Sequence, residues 1–243
     1  MTHHISEKMF GLTQRNSAVR EMFEEGGRLA ALYGRENVFD FSLGNPNFPA
    51  PEKIKEAICG ILESESPTMV HGYMSNAGYP DVREAVAASL NKRFATSFGA
   101  GNIIMTVGAA GGLNVILKTL LNPGDEVLAL APYFLEYGNY VNNYDGVLVV
   151  VPANTADFQP DAEAVRKAIT PKTKALIINS PNNPTGVVYS AETIKSIAAV
   201  LESKQREYGH PIFILADEPY RELAYDGVEV PWLTGFYQNT IVG

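Results

Sequence analysis

From about residue 100 onward, short apolar runs alternate with amphipathic segments. The runs occupy residues 103–107, 126–131, 147–151, 175–178 and 212–216. Their apolar residues are consecutive rather than at every second position, which is typical of strands buried on both faces of a parallel sheet. Between runs, Asp161 and Ser190 can each cap a helix. The alternation predicts an α/β domain with a mostly parallel, doubly wound sheet.

The first hundred residues have a different pattern. Helical periodicity covers residues 17–33, 51–63 and 81–94. The last segment opens with Asp81, and Glu84 follows three residues later, which predicts a capping box. We therefore expect helices and connections in this part of the chain rather than strands.

Composition and charge exclude several classes of protein. Hydrophobic residues make up 46% of the 243 residues and charged residues 19%, so the chain can bury a large core and is not a disordered protein. The 19 Lys and Arg against 27 Asp and Glu give a net charge of −8, which argues against nucleic acid or an anionic membrane as the main partner. The single cysteine excludes an internal disulfide, and the His3-His4 pair is too isolated to predict a metal site. Because neither a secretory signal nor a run near 18 apolar residues is visible, we expect a cytoplasmic location and no membrane segment.

The residues that follow the first apolar run could hold a phosphate. Ligands of an open parallel sheet bind outside the carboxyl ends of its strands. After residues 103–107 come Gly108, Ala109 and Ala110, which open directly into a helical pattern. Small residues let a ligand approach the backbone, and a helix N-terminus offers free N–H groups to an anion. A tight turn between strand and helix explains the same residues, so both interpretations stay open.

The ends of three other runs carry an aromatic ring, an amide, a carboxylate and a phenol. Phe134 could stack on a planar ligand or cover the core, and Asn183 lies in a loop stiffened by two prolines. Asp217 could cap a helix, but an acid at the end of a buried strand also needs a cationic partner. Tyr220 follows closely. Together with the phosphate loop, these groups predict a site for a flat, phosphorylated, nitrogen-containing heteroaromatic ligand that bears an oxygen.

At these residues the chain resembles the class I/II aminotransferases, the fold-type-I enzymes that use pyridoxal 5'-phosphate (PLP). The resemblance covers essentially the whole chain. Its most specific motifs are Asn-Asn-Pro-Thr-Gly at residues 182–186 and Ala-Asp-Glu-Pro-Tyr at residues 216–220. Further support comes from residues 106–110, from Gly44-Asn45-Pro46 and from Tyr73 ahead of Gly78-Tyr79-Pro80. The resemblance implies a three-layer α/β/α large domain of the PLP-transferase type, with a mostly parallel sheet.

The resemblance implies a role for each residue that matches a ring contact. Asp217 matches the acid that pairs with the pyridinium nitrogen and keeps it protonated. Asn183 and Tyr220 match the donors to the phenolic oxygen of the ring, and Phe134 matches the stacking aromatic. Asn183 also matches a position near the substrate carboxylate.

The remaining matches concern the phosphate, the substrate and a second subunit. Gly108 and the backbone N–H groups of Ala109 and Ala110 match the phosphate contacts. Tyr73 matches a tyrosine that reaches the phosphate of the neighbouring subunit, which implies a homodimer with shared active sites. Gly44 matches a position near the substrate carboxylate.

By this resemblance we expect an aminotransferase that moves an amino group from an amino acid to a 2-oxo acid. In the family the Schiff-base lysine follows the aspartate motif by a few tens of residues, within Ser-x-Ser-Lys. No lysine follows Lys204, and residues 239–243 look like the strand ahead of that lysine. We therefore expect the lysine beyond Gly243, a large domain truncated at its C-terminus, and a 243-residue chain that is inactive by itself.

The expected domains are residues 1–45, an N-terminal arm with a small-domain segment, and residues 46–243, an incomplete PLP-binding domain. Three alternatives stay open. A PLP-dependent β-lyase or decarboxylase of the same fold would use the same residues, because they tune the ring and do not select the bond that breaks. A non-catalytic PLP-binding sensor domain would also keep them.

Overall fold

A computed structural model describes residues 4–14, 18–41, 44 and 48–243, without the side chains of residues 18–20. The chain forms two compact units, Met1–Tyr73 and Met74–Gly243. This division lies after residue 73, whereas the sequence places the boundary between family domains after residue 45. The family-domain boundary stays a prediction.

The first unit consists of helices and connections. Its α-helices are α1 (Glu7–Thr13), α2 (Ala18–Tyr33), α3 (Glu52–Ser64) and α4 (Pro67–Val70). Helices α2 and α3 confirm the helical segments expected at residues 17–33 and 51–63, although Ser17 itself lies outside the described residues. Ser6 caps α1 by accepting a hydrogen bond from the Met9 N–H at 3.2 Å.

The second unit contains a parallel sheet with the order β2-β1-β3-β4-β5. Its strands are β1 (Glu126–Leu130), β2 (Val147–Val151), β3 (Thr173–Asn179), β4 (Phe213–Asp217) and β5 (Thr240–Val242). Four apolar runs and the strand expected at residues 239–243 are thereby confirmed. The chain adds β2 on one side of β1 and then β3, β4 and β5 on the other side, so the order of strand addition reverses between β1 and β3 while all strands stay parallel. A crevice is expected at the carboxyl ends of the strands around that point.

Helices cover both faces of this sheet, which explains the consecutive apolar residues. The helices of this unit are α5 (Pro80–Phe94), α6 (Gly108–Leu120), α7 (Glu136–Asn143), α8 (Ala162–Ala168) and α9 (Ala191–Tyr208), and α6 to α9 pack on the sheet. Leu128, Leu176 and Ile214 pack in one cluster with residues of α8 and α9. The adjacent strand residues Val127 and Leu215 point to the other face and pack with residues of α6 and α7. The three-layer α/β/α fold with a parallel sheet is confirmed.

The run at residues 103–107 does not form a strand, so that expectation is wrong. Its backbone groups are used elsewhere, since the Ile103 carbonyl accepts from Nε of Arg83 at 2.8 Å and the Met105 N–H donates to the Ala77 carbonyl at 2.9 Å. Within the described chain the run pairs with no strand. A strand needs a neighbour to complete its hydrogen bonds, and apolar residues alone do not supply one.

The helix caps agree with the sequence at two of three places. Ser190 accepts from the Thr193 N–H at 3.1 Å, and Asp161 accepts from the Glu163 N–H at 2.9 Å. The capping box expected at Asp81 is wrong, because α5 begins one residue earlier, at Pro80. Proline suits the first position of a helix, since its fixed φ is helical and it has no N–H to leave unpaired. Across the described residues, no helix has the length and apolar character to cross a membrane.

Candidate functional site

The carboxyl ends of β1, β3 and β4 and the start of α6 surround a cleft of about 210 Å³. Six residues that the sequence singled out line this cleft: Ala109, Ala110, Phe134, Asn183, Asp217 and Tyr220. They come from four separate parts of the chain. The fold therefore brings together most of the site that the sequence proposes, at the edge of the sheet where ligands of this fold bind.

The start of α6 is arranged to receive an anion. No side chain caps the first turn of this 13-residue helix. Gly108, its first residue, has a φ of +70°, a conformation that side chains with a Cβ rarely adopt. Thr106 Oγ1 donates to the Gly108 carbonyl at 3.2 Å and so supports this turn. Ala109 and Ala110, in this first turn, line the cleft. The N–H groups of a first helical turn have no partner within the helix and lie at the positive end of its dipole, so this end of α6 suits an anion.

Asp217, the last residue of β4, is a buried carboxylate with only 6% of its surface exposed. Burial raises the pKa of this carboxyl, and a hydrogen bond from Tyr137 partly opposes that effect. The Tyr137 hydroxyl donates to Asp217 Oδ2. Among the described residues, no lysine, arginine or histidine forms a salt bridge with Asp217. The cleft thus contains a buried acid without a cationic partner from the described chain.

Hydrogen bonds fasten the loop after β3 to the end of β4. The buried side chain of Asn179 donates to the Asp217 carbonyl at 2.8 Å and accepts from the Asn183 N–H at 2.7 Å. The Asn183 side chain in turn lies 3.4 Å from the Tyr220 hydroxyl, to which it donates. The amide of Asn183 and the phenol of Tyr220 are thereby held beside each other. This is the placement expected of a pair that binds one oxygen of a ligand.

Phe134 follows β1 and is 38% exposed at the cleft. Its ring meets the ring of Tyr137 edge to face, with centroids 5.6 Å apart and planes at 84°. Edge-to-face contact is a favourable geometry for two aromatic rings. The ring of Phe134 is therefore supported by a buried neighbour while it remains accessible from the cleft.

The sequence did not single out Tyr137, Tyr140 or Asn179. Tyr137 is 1% exposed and lies in α7, three residues after Phe134, where a buried aromatic is indistinguishable from a core residue. Tyr140 lines the cleft one helical turn further on. Asn179 did carry a signal, because it is a polar residue at the carboxyl end of a buried strand, the same criterion that identified Asp217.

Two proposed site residues lie in the other unit, Met1–Tyr73. Gly44 is exposed, and the rest of its motif, residues 45–47, lies outside the described residues. The side chain of Tyr73 is fully exposed. Their part in the site stays a prediction. Over the described ranges, no group of histidine, cysteine, aspartate and glutamate residues is placed to hold a metal ion.

Comparisons with known proteins point to one family. A family model described as aminotransferase class I and II matches residues 36–238. A probable aspartate/prephenate aminotransferase of Thermus aquaticus is 38% identical over 223 residues, which are 90% of this chain and 56% of that protein. The aspartate/prephenate aminotransferase of Thermus thermophilus is 36% identical over 90% of this chain and 55% of its own length. The chain therefore spans little more than half of these relatives.

Solved structures give the same result. An aminotransferase from Eubacterium rectale is 46% identical and superposes with a TM-score of 0.95, covering 99% of this chain and 61% of that one. The aspartate aminotransferase of Thermus thermophilus with maleate is 32% identical and has a TM-score of 0.82, with 99% and 60% covered. Both comparisons cover nearly the whole of this chain.

Proposed function

The chain belongs to the aminotransferase class I and II family, and we propose that it forms the cofactor-holding part of a PLP-dependent aminotransferase. Members of this family depend in general on PLP. The observation that carries the proposal is the buried Asp217 carboxylate, which shares one cleft with an uncapped helix N-terminus.

The charges of the cleft fit this cofactor at both of its ends. A phosphate is dianionic or nearly so and suits the N–H groups of Ala109 and Ala110. A protonated pyridine nitrogen would give Asp217 the cationic partner that the described chain does not supply, and it would oppose the effect of burial on the carboxyl pKa. A buried carboxylate with neither a cation nor a ligand is costly, so the fit is electrostatic as well as geometric.

The other residues of the cleft have complementary tasks in this proposal. Phe134 stacks on the ring of the cofactor, and the Asn183 amide with the Tyr220 phenol binds its phenolic oxygen. Gly44 and Asn183 lie near the substrate carboxylate, and Tyr73 reaches the phosphate in the neighbouring subunit of a homodimer. The Schiff-base lysine comes from sequence beyond Gly243.

The proposed reaction moves an amino group from an amino acid to a 2-oxo acid. PLP when bound supplies an electron sink, and the negative Asp217 strengthens that sink by keeping the ring nitrogen protonated. The names of the relatives favour transamination over the lyase, decarboxylase and sensor alternatives. Since several relatives are named for aspartate, aspartate is the first amino donor to test.

The test replaces Asp217 in the full-length protein. We expect Asp217→Ala to lower kcat for transamination by several orders of magnitude while the circular dichroism spectrum stays native, because only the charge at the ring nitrogen is lost. Asp161→Ala is the matched control, since it removes an exposed capping carboxylate and should lower stability by about 1 kcal/mol without lowering kcat. Near-normal transamination by Asp217→Ala would contradict the proposal.

A further inference from the structure

Tyr137 is not among the residues proposed to bind cofactor or substrate, yet its hydroxyl contacts Asp217, the buried acid of the cleft. The residue is 1% exposed and lies in α7, and its hydroxyl donates a hydrogen bond to Asp217 Oδ2. We propose that Tyr137 is a positioning residue that keeps the Asp217 carboxylate charged and leaves its second oxygen for the ring nitrogen of the cofactor. This inference rests on the proposed function.

The first argument is that the described residues hydrogen-bond only one of the two oxygens of the Asp217 carboxylate. Oδ2 accepts the phenol, whereas no described residue donates a hydrogen bond to Oδ1. The backbone carbonyl of the same residue accepts from Asn179. With the backbone and one oxygen held, the remaining oxygen has a defined direction, so the carboxylate is oriented before any ligand arrives.

The second argument is that a phenol donates without adding charge. Burial and the nearby Asp217 both raise the pKa of Tyr137, so the phenol stays neutral over the working range of pH. A lysine or arginine in its place would also hold the carboxylate, but it would neutralise it and repel a cationic ring nitrogen. A neutral donor stabilises the charged carboxylate and leaves its full negative charge to the cofactor.

The third argument concerns the other titratable groups around this pair. Tyr220 and Tyr140 act electrostatically on Tyr137, and Glu136 and Asp217 act on Tyr140. Apart from the two acids, these groups are phenols, and burial raises the pKa of Tyr140 as well. Within the described chain, the hydrogen bond from Tyr137 is therefore the interaction that favours the charged form of Asp217 against burial.

The experiment uses the full-length protein after removal of its cofactor, with PLP affinity measured by equilibrium dialysis across pH. Tyr137→Phe keeps the ring that packs on Phe134 and removes only the donor. We expect its Kd for PLP to rise about tenfold. PLP affinity falls in acid as Asp217 becomes protonated, and we call this part of the pH profile the acid limb. In Tyr137→Phe the acid limb should move to higher pH, because Asp217 without the donor protonates more easily.

The matched control is Tyr237→Phe, which removes another buried hydroxyl. That hydroxyl donates to the Ile212 carbonyl at 2.7 Å, and its loss should leave both the PLP affinity and the acid limb unchanged.

A second pair of variants separates this inference from the proposed function. Asp217→Asn should weaken PLP binding, and adding Tyr137→Phe to it should change nothing further, because the charge that the phenol supports is gone. Unchanged binding by Asp217→Asn would overturn the proposed function. Weakened binding by Asp217→Asn together with an unmoved Kd and acid limb in Tyr137→Phe would overturn the role of Tyr137 alone.

If Tyr137→Phe does not fold, 3-fluorotyrosine placed at position 137 replaces it. This side chain keeps the hydroxyl and nearly the same size but is a stronger donor. The acid limb of PLP binding should then move to lower pH, and an acid limb that stays in place would overturn the inference.

Discussion

The charge state of Asp217 that the proposed function requires is not the one that burial favours. The proposed function needs its charge, whereas burial in the cofactor-free fold favours its neutral form and raises its pKa above the ordinary value of 3.8. A carboxyl whose pKa is raised on folding stabilises the fold fully below its unfolded pKa and loses that contribution as pH rises through the folded pKa. The charge required for function therefore weakens the cofactor-free protein at neutral and alkaline pH.

This conflict predicts that a neutral replacement stabilises the fold. Asp217→Asn should increase the free energy of unfolding of the cofactor-free protein at pH 8, measured by urea denaturation, because a buried charge is removed. The gain should shrink as pH falls towards 3.8, where the aspartate itself is protonated. Asp161→Asn is the control, since asparagine caps a helix as well as aspartate does and the site is exposed. A gain for Asp217→Asn that stays constant or grows on acidification would exclude this explanation.

At the scale of elements, the start of α6 determines whether the backbone can hold an anion. The helix opens at Gly108 with a φ of +70°. Three residues later, Gly111 lies within the helix, and a Cβ built there would contact only the Val107 side chain, at an ordinary 3.8 Å. Both glycines belong to α6, but only Gly108 has a backbone conformation that favours glycine.

Alanine substitutions at these glycines should therefore have opposite effects. Gly108→Ala should lower the free energy of unfolding by about 1 kcal/mol, because its left-handed backbone is strained by a Cβ. It should also weaken PLP binding, since relaxing that strain turns the N–H groups of Ala109 and Ala110. Gly111→Ala should raise stability by about 0.5–1 kcal/mol, the usual gain within a helix. Chemical denaturation of both variants checks the signs, and equal effects would contradict the argument.

At the scale of the whole molecule, the proposed site needs a second copy of the chain. Tyr73, proposed to act in the partner's site, is fully exposed in its own unit. Asp217, by contrast, is proposed to act within its own subunit. A site built from two subunits can be restored by combining two different defective subunits, whereas a site built from one subunit cannot.

Hybrid dimers of two defective subunits should regain activity. We expect Tyr73→Phe and Asp217→Asn each to impair the full-length enzyme as homodimers. In a dimer of one Tyr73→Phe subunit and one Asp217→Asn subunit, one site combines an intact Asp217 with an intact Tyr73 from the partner, while the other site has both defects. Purified hybrids should therefore recover up to half of the wild-type kcat. Hybrids that are no more active than the parents, or a full-length protein that is active as a monomer, would argue against shared sites.

The sequence predicted much of the fold and of the site for identifiable reasons. Residues 126–131 and 212–216 read as strands because sheets covered on both faces require consecutive apolar residues. Asp217 and Asn183 stood out because polar residues at the ends of such strands meet at one edge of the sheet. These are local patterns, and each can be recognised without knowing its neighbours in space.

Only the tertiary structure decided the features that depend on a partner far along the chain. Residues 103–107 have the composition of a strand, but a strand forms only where another is placed to pair with it, and the described fold pairs none there. Tyr137 reads as a core aromatic until its hydroxyl is seen to meet Asp217, 80 residues later. Composition and periodicity thus identified four of the buried or partly buried strands and the polar residues that reach the edge of the sheet, whereas the run at residues 103–107 is largely exposed in the fold. The pairing of buried polar groups was decided by the fold, because a hydrogen bond depends on the position of two atoms that the sequence keeps apart.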